Sequence, residues 1–246
     1  LSGLEKFVYK TLKSRYMQDL SKHRHLTLRF KNKISHHELP LLRGAINETI
    51  KDKSNILFHN HEGDGYRYAY PLIQYKRINQ QAALVCINEG TEAVGLLLMH
   101  GNFACRLGKQ EMQMEISGVK AGQVLIQTWD SSFSYYLRKW LPLNQDNCEE
   151  FQKLEGVAEK CSFLERILIG NILSMGKGLG VHFEKEITCK ITHLSEPSLM
   201  KLKGIKMMAF DVEFKSNVSL PDYFGLGKGA SLGFGMVAGK KYRNQE

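Results

Sequence analysis

The chain has 246 residues, 43% hydrophobic and 24% charged, ordinary globular usage that excludes disordered and collagen-like chains. Its length suits two domains better than one core. Thirty-four Lys and Arg against 25 Asp and Glu leave a net charge of +9, which favours polyanionic partners, although a solvated basic surface has the same count.

Residues 1–22 match neither half of the chain beyond them and read as an N-terminal extension or an expression remnant. HLTLRFK (25–31) alternates Leu26, Leu28 and Phe30 with polar neighbours, the pattern of a half-buried strand. A helix with Leu39, Leu42, Ile46 and Ile50 on one face comes next. Its start is open between a Ser35–Glu38 capping box and Pro40 in the first turn. YRYAYPLIQYK (66–76) reads as extended and AALVCIN (82–88) as a strand; a short helix comes after it near Glu89–His100. Strands near 111–117 and 123–129 complete the half. Strand, helix, two strands, helix, strand is the split βαβ order of the ferredoxin-like fold.

The second half reads as extended through SYYLRKWLPLN, helical from Glu149 to about Met175, and stranded over 184–194 and 205–215. A glycine-rich stretch and a strand-like LGFGMV come last. The expected fold is α+β: two tandem ferredoxin-like (RRM/RAMP-type) domains, 23–130 and 131–246, ending in a glycine-rich loop.

Cys86, Cys105, Cys148, Cys161 and Cys189 are odd in number and never spaced C-x-x-C. A disulfide framework and a zinc ribbon are therefore not expected; reduced thiols are. The longest apolar run, Ala93–Met99, falls far short of the ~18 residues of a spanning helix. With no signal pattern in Leu1–Lys22, a soluble cytoplasmic protein without membrane contact is expected.

Gly225, Gly227, Gly229, Gly233, Gly235 and Gly239 are interleaved with Lys228 and Ser231. Glycine lets successive N–H groups point into one concavity and hold a phosphate. Walker A is absent, and a Rossmann loop would have to follow the first strand. A loop against an RNA backbone and a bulged hairpin remain. His59 and His61, in an HNH tripeptide, would lie on one side of an extended chain, about 7 Å apart. Two imidazoles titrating near ~6.5 can divide acid and base work. A solvated polar loop is the plain alternative; no third ligand at metal spacing accompanies them, and HNH nucleases rest on a ββα-metal site rather than a tripeptide. His36 and His37 form a second pair, with surface histidines at a helix start as their plain reading. Tyr66, Tyr68 and Tyr70 stand among Arg67, Lys76 and Arg77, a mixture that suits base stacking and phosphate contact as well as sheet packing.

LRGAI (42–46), the HNH stretch, YPLIQYK (70–76), NEG (88–90), WLPLN (140–144), LIGNILSMGKGLG (168–180) and FDVEFKSNVSLPDYFGLGKGASLGFG (210–235) together resemble the CRISPR-associated precursor-crRNA endoribonucleases of the Cas6 family of RAMP proteins, type-B branch. The resemblance covers about residues 25–240 and implies two ferredoxin-like domains. It also implies metal-independent cutting within CRISPR repeats, without a cofactor, by attack of a ribose 2′-hydroxyl. The ends would be a 2′,3′-cyclic phosphate and a 5′-hydroxyl. The implied catalytic residues are His59, His61 and Tyr68, with His36 or His37 as the alternative. Gly225, Gly227, Lys228, Gly229, Ser231, Gly233 and Gly235 are the implied RNA contacts, with Lys76 as a further cation. Arg166, Lys177, Lys185 and Lys190 are candidate phosphate contacts by charge alone. The implied partners are the precursor repeat RNA and a CRISPR interference complex, with a homodimer open. A non-catalytic RAMP subunit that binds crRNA is the competing function.

Overall fold

The computed structural model describes residues 22–49, 61–62, 65–66, 70–99, 103–108 and 110–240. The first strand, β1 (Lys22–Lys33), turns its apolar residues to one face, where Leu28 and Phe30 are fully buried. Both signals at the first helix are used. Ser35 N–H donates to the Glu38 carboxylate at 2.7 Å, closing a 3₁₀ turn at His36–Glu38, and α1 (Leu39–Thr49) continues with Pro40 in its first turn. The short strands β2 (His61–Glu62) and β3 (Gly65–Tyr66) pair antiparallel. Next come β4 (Ile73–Ile78), β5 (Gln81–Ile87), α2 (Glu89–Met99), the hairpin β6 (Phe103–Leu107) and β7 (Gln110–Met114), and β8 (Ile116–Leu125).

The first sheet has the order β4-β5-β1-β8, every neighbour antiparallel, the ferredoxin-like order. The strands expected near 111–117 and 123–129 are displaced. The first spans parts of β7 and β8, and the second runs from the end of β8 into the next sheet. β8 is an edge strand whose residues 117–123 are exposed, so ISGVKAGQVL lacks the alternation that marks a half-buried strand.

The second half opens with β9 (Thr128–Trp140). The single long helix expected from Glu149 is two helices, α3 (Gln145–Gln152) and α4 (Val157–Leu179). Gly156 breaks the run: it caps α4, its N–H donating to the Glu159 carboxylate at 3.3 Å. Asn144 caps α3 by accepting from Asn147 N–H at 2.7 Å. The strand expected over 184–194 begins only at Cys189; β10 is Cys189–Leu194, and β11 (Ser198–Leu202), β12 (Ile205–Val218) and β13 (Met236–Gly239) complete the chain's elements. Their order is β10-β12-β9-β13, with β11 on β12, so the two sheets repeat one topology. The difference lies in the last crossover. Where the first half uses α2, the second runs through residues 219–235, with only a 3₁₀ turn at Ala230–Leu232 among them.

Strand β5 explains how the halves join. Ala82, Leu84 and Cys86 pack with Leu39, Leu42, Ile46, Val94 and Leu97 of the first half's helices. Ala83, Val85 and Ile87 belong to the cluster that includes Leu164, Leu168, Ile172, Val212, Phe214 and Val237 of the second half. A strand covered on both faces needs an unbroken apolar run, and AALVCI is one.

Candidate functional site

The glycine-rich segment is built from the residues that the second half supplies in place of a helix. Trp140, at the end of β9, donates its indole N–H to Asn171 of α4 at 2.8 Å. Gly227 (φ +78°) lies on this pair, and a Cβ there would stand 2.7 Å from Asn171 Oδ1. Three separated motifs, WLPLN, LIGN and GLGK, thus meet at one point. Gly235 is more constrained still, with φ +57° and a notional Cβ 1.9 Å from the Leu226 carbonyl oxygen. Leu226 N–H donates to the Gly235 carbonyl at 2.8 Å, closing the segment on itself.

Accessibility divides the residues expected to contact RNA. Lys228 is exposed, and Gly227, Gly229 and Ser231 are half-buried. Gly225, Gly233 and Gly235 are buried and shape the backbone beneath that turn. Lys228 Nζ donates to the Leu143 carbonyl at 3.1 Å, and its partial burial lowers its pKa.

Lys76 departs from the expectation of a direct RNA contact. It lies on β4 with 0% exposure, its Nζ donating to the Ala230 carbonyl at 2.8 Å. Desolvation lowers its pKa to about 7. Its ammonium faces the protein interior, where it holds the glycine-rich segment.

His36 is likewise turned inward. Its ring lies edge-on to Phe234 at 4.8 Å between centroids, and its buried Nε2 makes no hydrogen bond among the described residues. Burial, with the Lys139 charge next, lowers its pKa to about 4. It is neutral near pH 7 and suits packing rather than proton donation. His37 is exposed, its Nε2 3.2 Å from Ser35 Oγ. His59 and Tyr68 lie outside the described residues; His61 is in β2, opposite Tyr66 in register.

Of the charge-only candidates, Lys185 pairs with Asp130 at 2.5 Å and Lys190 with Glu165 at 3.3 Å. Arg166 stacks over Phe163 of its own helix at 5.4 Å, and Lys177 is exposed near the end of α4. The Lys185–Asp130 pair is exposed and contributes little stability, whereas Lys190 meets a mostly buried Glu165 carboxylate that also accepts the Ile191 N–H at 2.8 Å.

A second basic surface was not anticipated. The face of β1 opposite Leu26 and Leu28 carries His25, Thr27 and Arg29, which with Lys120 of β8 and Pro221–Tyr223 line a groove of about 640 Å³. Arg29 lies 6.0 Å from the Tyr223 ring centre. Burial, then the Lys120 charge, lowers the His25 pKa, while burial raises that of Asp222. The HLTLRF alternation already places His25 and Arg29 on one face; what was missing is that the second half leaves this end of the face open. No cluster of three or more metal-ligating side chains occurs among the described residues, nor is any helix among them long and apolar enough to cross a membrane.

Comparison with known proteins agrees with this architecture. Residues 21–124 match the family model of the Cas6b N-terminal domain, and residues 127–239 match that of the Cas6b C-terminal domain. An uncharacterised protein of Methanocaldococcus jannaschii is 37% identical over 102 residues, 42% of this chain and 68% of that protein. A crystal structure of Cas6b superposes with a TM-score of 0.81 at 27% identity, covering 89% of this chain and 99% of that one. A second, of the CRISPR RNA processing endoribonuclease Cas6b, gives 0.68 at 26% identity with the same coverage.

Proposed function

The chain belongs to the Cas6b family, and from that premise we propose that it is a CRISPR repeat-specific endoribonuclease, cutting precursor crRNA within its repeats. The observation that carries this reading is that both Cas6b domain models match in order, on two repeated sheets, over nearly the whole of residues 21–239. The likeness to the CRISPR RNA processing endoribonuclease Cas6b supports the same reading.

The proposed reaction is transesterification. A base takes the proton of the ribose 2′-hydroxyl, which attacks the adjacent phosphorus. An acid protonates the departing 5′-oxygen, leaving a 2′,3′-cyclic phosphate and a 5′-hydroxyl. Two groups that titrate near neutrality suffice for both transfers, with no metal in the cycle. His59 and His61 are assigned these transfers, and Tyr68 orients the phosphate or the 2′-oxygen. On the binding side, the exposed Lys228 and the backbone N–H groups of Gly227 and Gly229 are assigned to the RNA backbone. They would neutralise phosphate and hold the strand in line for attack.

Alanine at His59 and at His61 tests the assignment. Each change is expected to slow cleavage of a repeat RNA from the same genome by roughly 10² to 10⁴, with RNA affinity nearly unchanged. Cleavage within twofold of the parent in both variants removes the histidines from the reaction. Tight binding by a parent protein that does not cut would place the chain among RAMP subunits that only bind crRNA.

A further inference from the structure

Strand β4 is the edge of the first sheet, and an open edge invites pairing with other chains. Here the Ala230–Leu232 turn of the glycine-rich segment packs against it. Three side chains in and just before β4 reach across to that segment. Tyr70 Oη donates to the Gly225 carbonyl at 2.9 Å, and Gly225 N–H donates to Gln74 Oε1 at 2.9 Å. Both polar groups of one peptide residue are therefore held by the other half of the chain. Gln74 is itself fixed by donating to the Pro71 carbonyl at 3.1 Å. Lys76 Nζ donates to the Ala230 carbonyl at 2.8 Å.

Packing alone would not select this set. An ammonium with no exposure and a neutral carbonyl as its partner is costly to bury, and a methionine fills the same space without that cost. What lysine adds is a hydrogen bond that ties Ala230 to β4. The tie also has a place in the chain. Tyr70 stands two residues after Tyr68 in the sequence. Gly178 of α4 closes on the same point, where a Cβ would stand 2.3 Å from Tyr70 Cβ.

We propose that Tyr70, Gln74 and Lys76 are positioning residues that lock the glycine-rich segment onto the β4 edge of the first sheet, so that RNA held by Gly227, Lys228 and Gly229 is presented in a fixed register to the first half of the chain. The inference rests on the assignment of His59, His61 and Tyr68 to cleavage.

The test uses the full chain carrying Lys76→Met or Tyr70→Phe, with single-turnover cleavage of repeat RNA at saturating protein and RNA affinity measured in parallel. A positioning role predicts that the cleavage rate constant falls about tenfold or more while affinity stays within about threefold. A thermal melt reports that each variant is folded; should Lys76→Met fail to fold, Tyr70→Phe, which removes one hydroxyl, decides alone. A folded variant that cuts within twofold of the parent overturns the proposal. So does a loss confined to affinity, which would make the segment a binding element and nothing more. A parent that binds the repeat RNA without cutting it refutes the functional reading itself, a result distinct from normal cutting by the variants.

Discussion

Among single residues, Lys76 yields the sharpest physical prediction. Desolvation holds its folded pKa at about 7, against about 10.4 in the unfolded chain. Between these values the unfolded state binds the extra proton, so this group makes stability rise with pH across that window. Below about pH 7 its contribution to the slope vanishes. Lys76, Arg77 and Lys139 are all cationic and all act against the charged form of His36. Denaturant unfolding of parent and Lys76→Met between pH 6.5 and 9.5 should show the parent gaining on the variant by up to about 1.4 kcal/mol per pH unit. Parallel curves would mean that the ammonium is solvated. Sequence alone could place Lys76 and Gln74 on one face of β4, since strands alternate. It could not show that the face is roofed by residues about 150 positions away, which is why a buried tie reads as a surface cation.

At the scale of elements, the glycine-rich crossover is where the two halves differ. Its conformation is fixed by close approach as well as by backbone angle, and two substitutions separate these causes. Gly180, the left-handed cap of α4 at φ +73°, has nothing within 4 Å of a notional Cβ. Gly180→Ala should cost about 1 to 2 kcal/mol, the left-handed penalty alone. Gly235→Ala adds a collision with the Leu226 carbonyl oxygen and should cost about 3 kcal/mol or more, with a matching fall in repeat-RNA affinity. Equal costs in thermal and denaturant unfolding would contradict the packing described around Leu226. The cluster of glycines was visible in the sequence as a loop signal. That it replaces a helix was not, because the replacement is defined by the sheet order around it. Gly156 shows the converse error: helical spacing of apolar residues runs through a glycine that in fact starts a new helix, its N–H taken by Glu159.

For the whole molecule, the decisive strand is β5, whose alternate residues belong to two different clusters. Ala83, Val85 and Ile87 are buried by the second half, so the halves are expected to unfold together. Far-UV and near-UV signals should lose structure in one coincident transition, and a fragment ending at residue 126 should bind a hydrophobic dye and aggregate. Two separated transitions would contradict a shared core. The tandem ferredoxin-like plan was legible because the strands of each half repeat one order, and that order survives misplaced strand ends such as those near 111–129. The groove of His25, Arg29 and Lys120 was not, since it exists only between the first sheet and Pro221–Tyr223.

Cleavage by the ribose 2′-hydroxyl is open to one direct measurement. A repeat RNA from the same genome would be incubated with the protein in a chelator, alongside the same RNA carrying a single 2′-deoxy nucleotide just 5′ of the cut. The all-ribose RNA should be cut to a 2′,3′-cyclic phosphate, and the deoxy RNA bound but left whole. Cleavage of the deoxy RNA at the parent rate, or no cleavage of either until a divalent metal is restored, would contradict the proposed reaction.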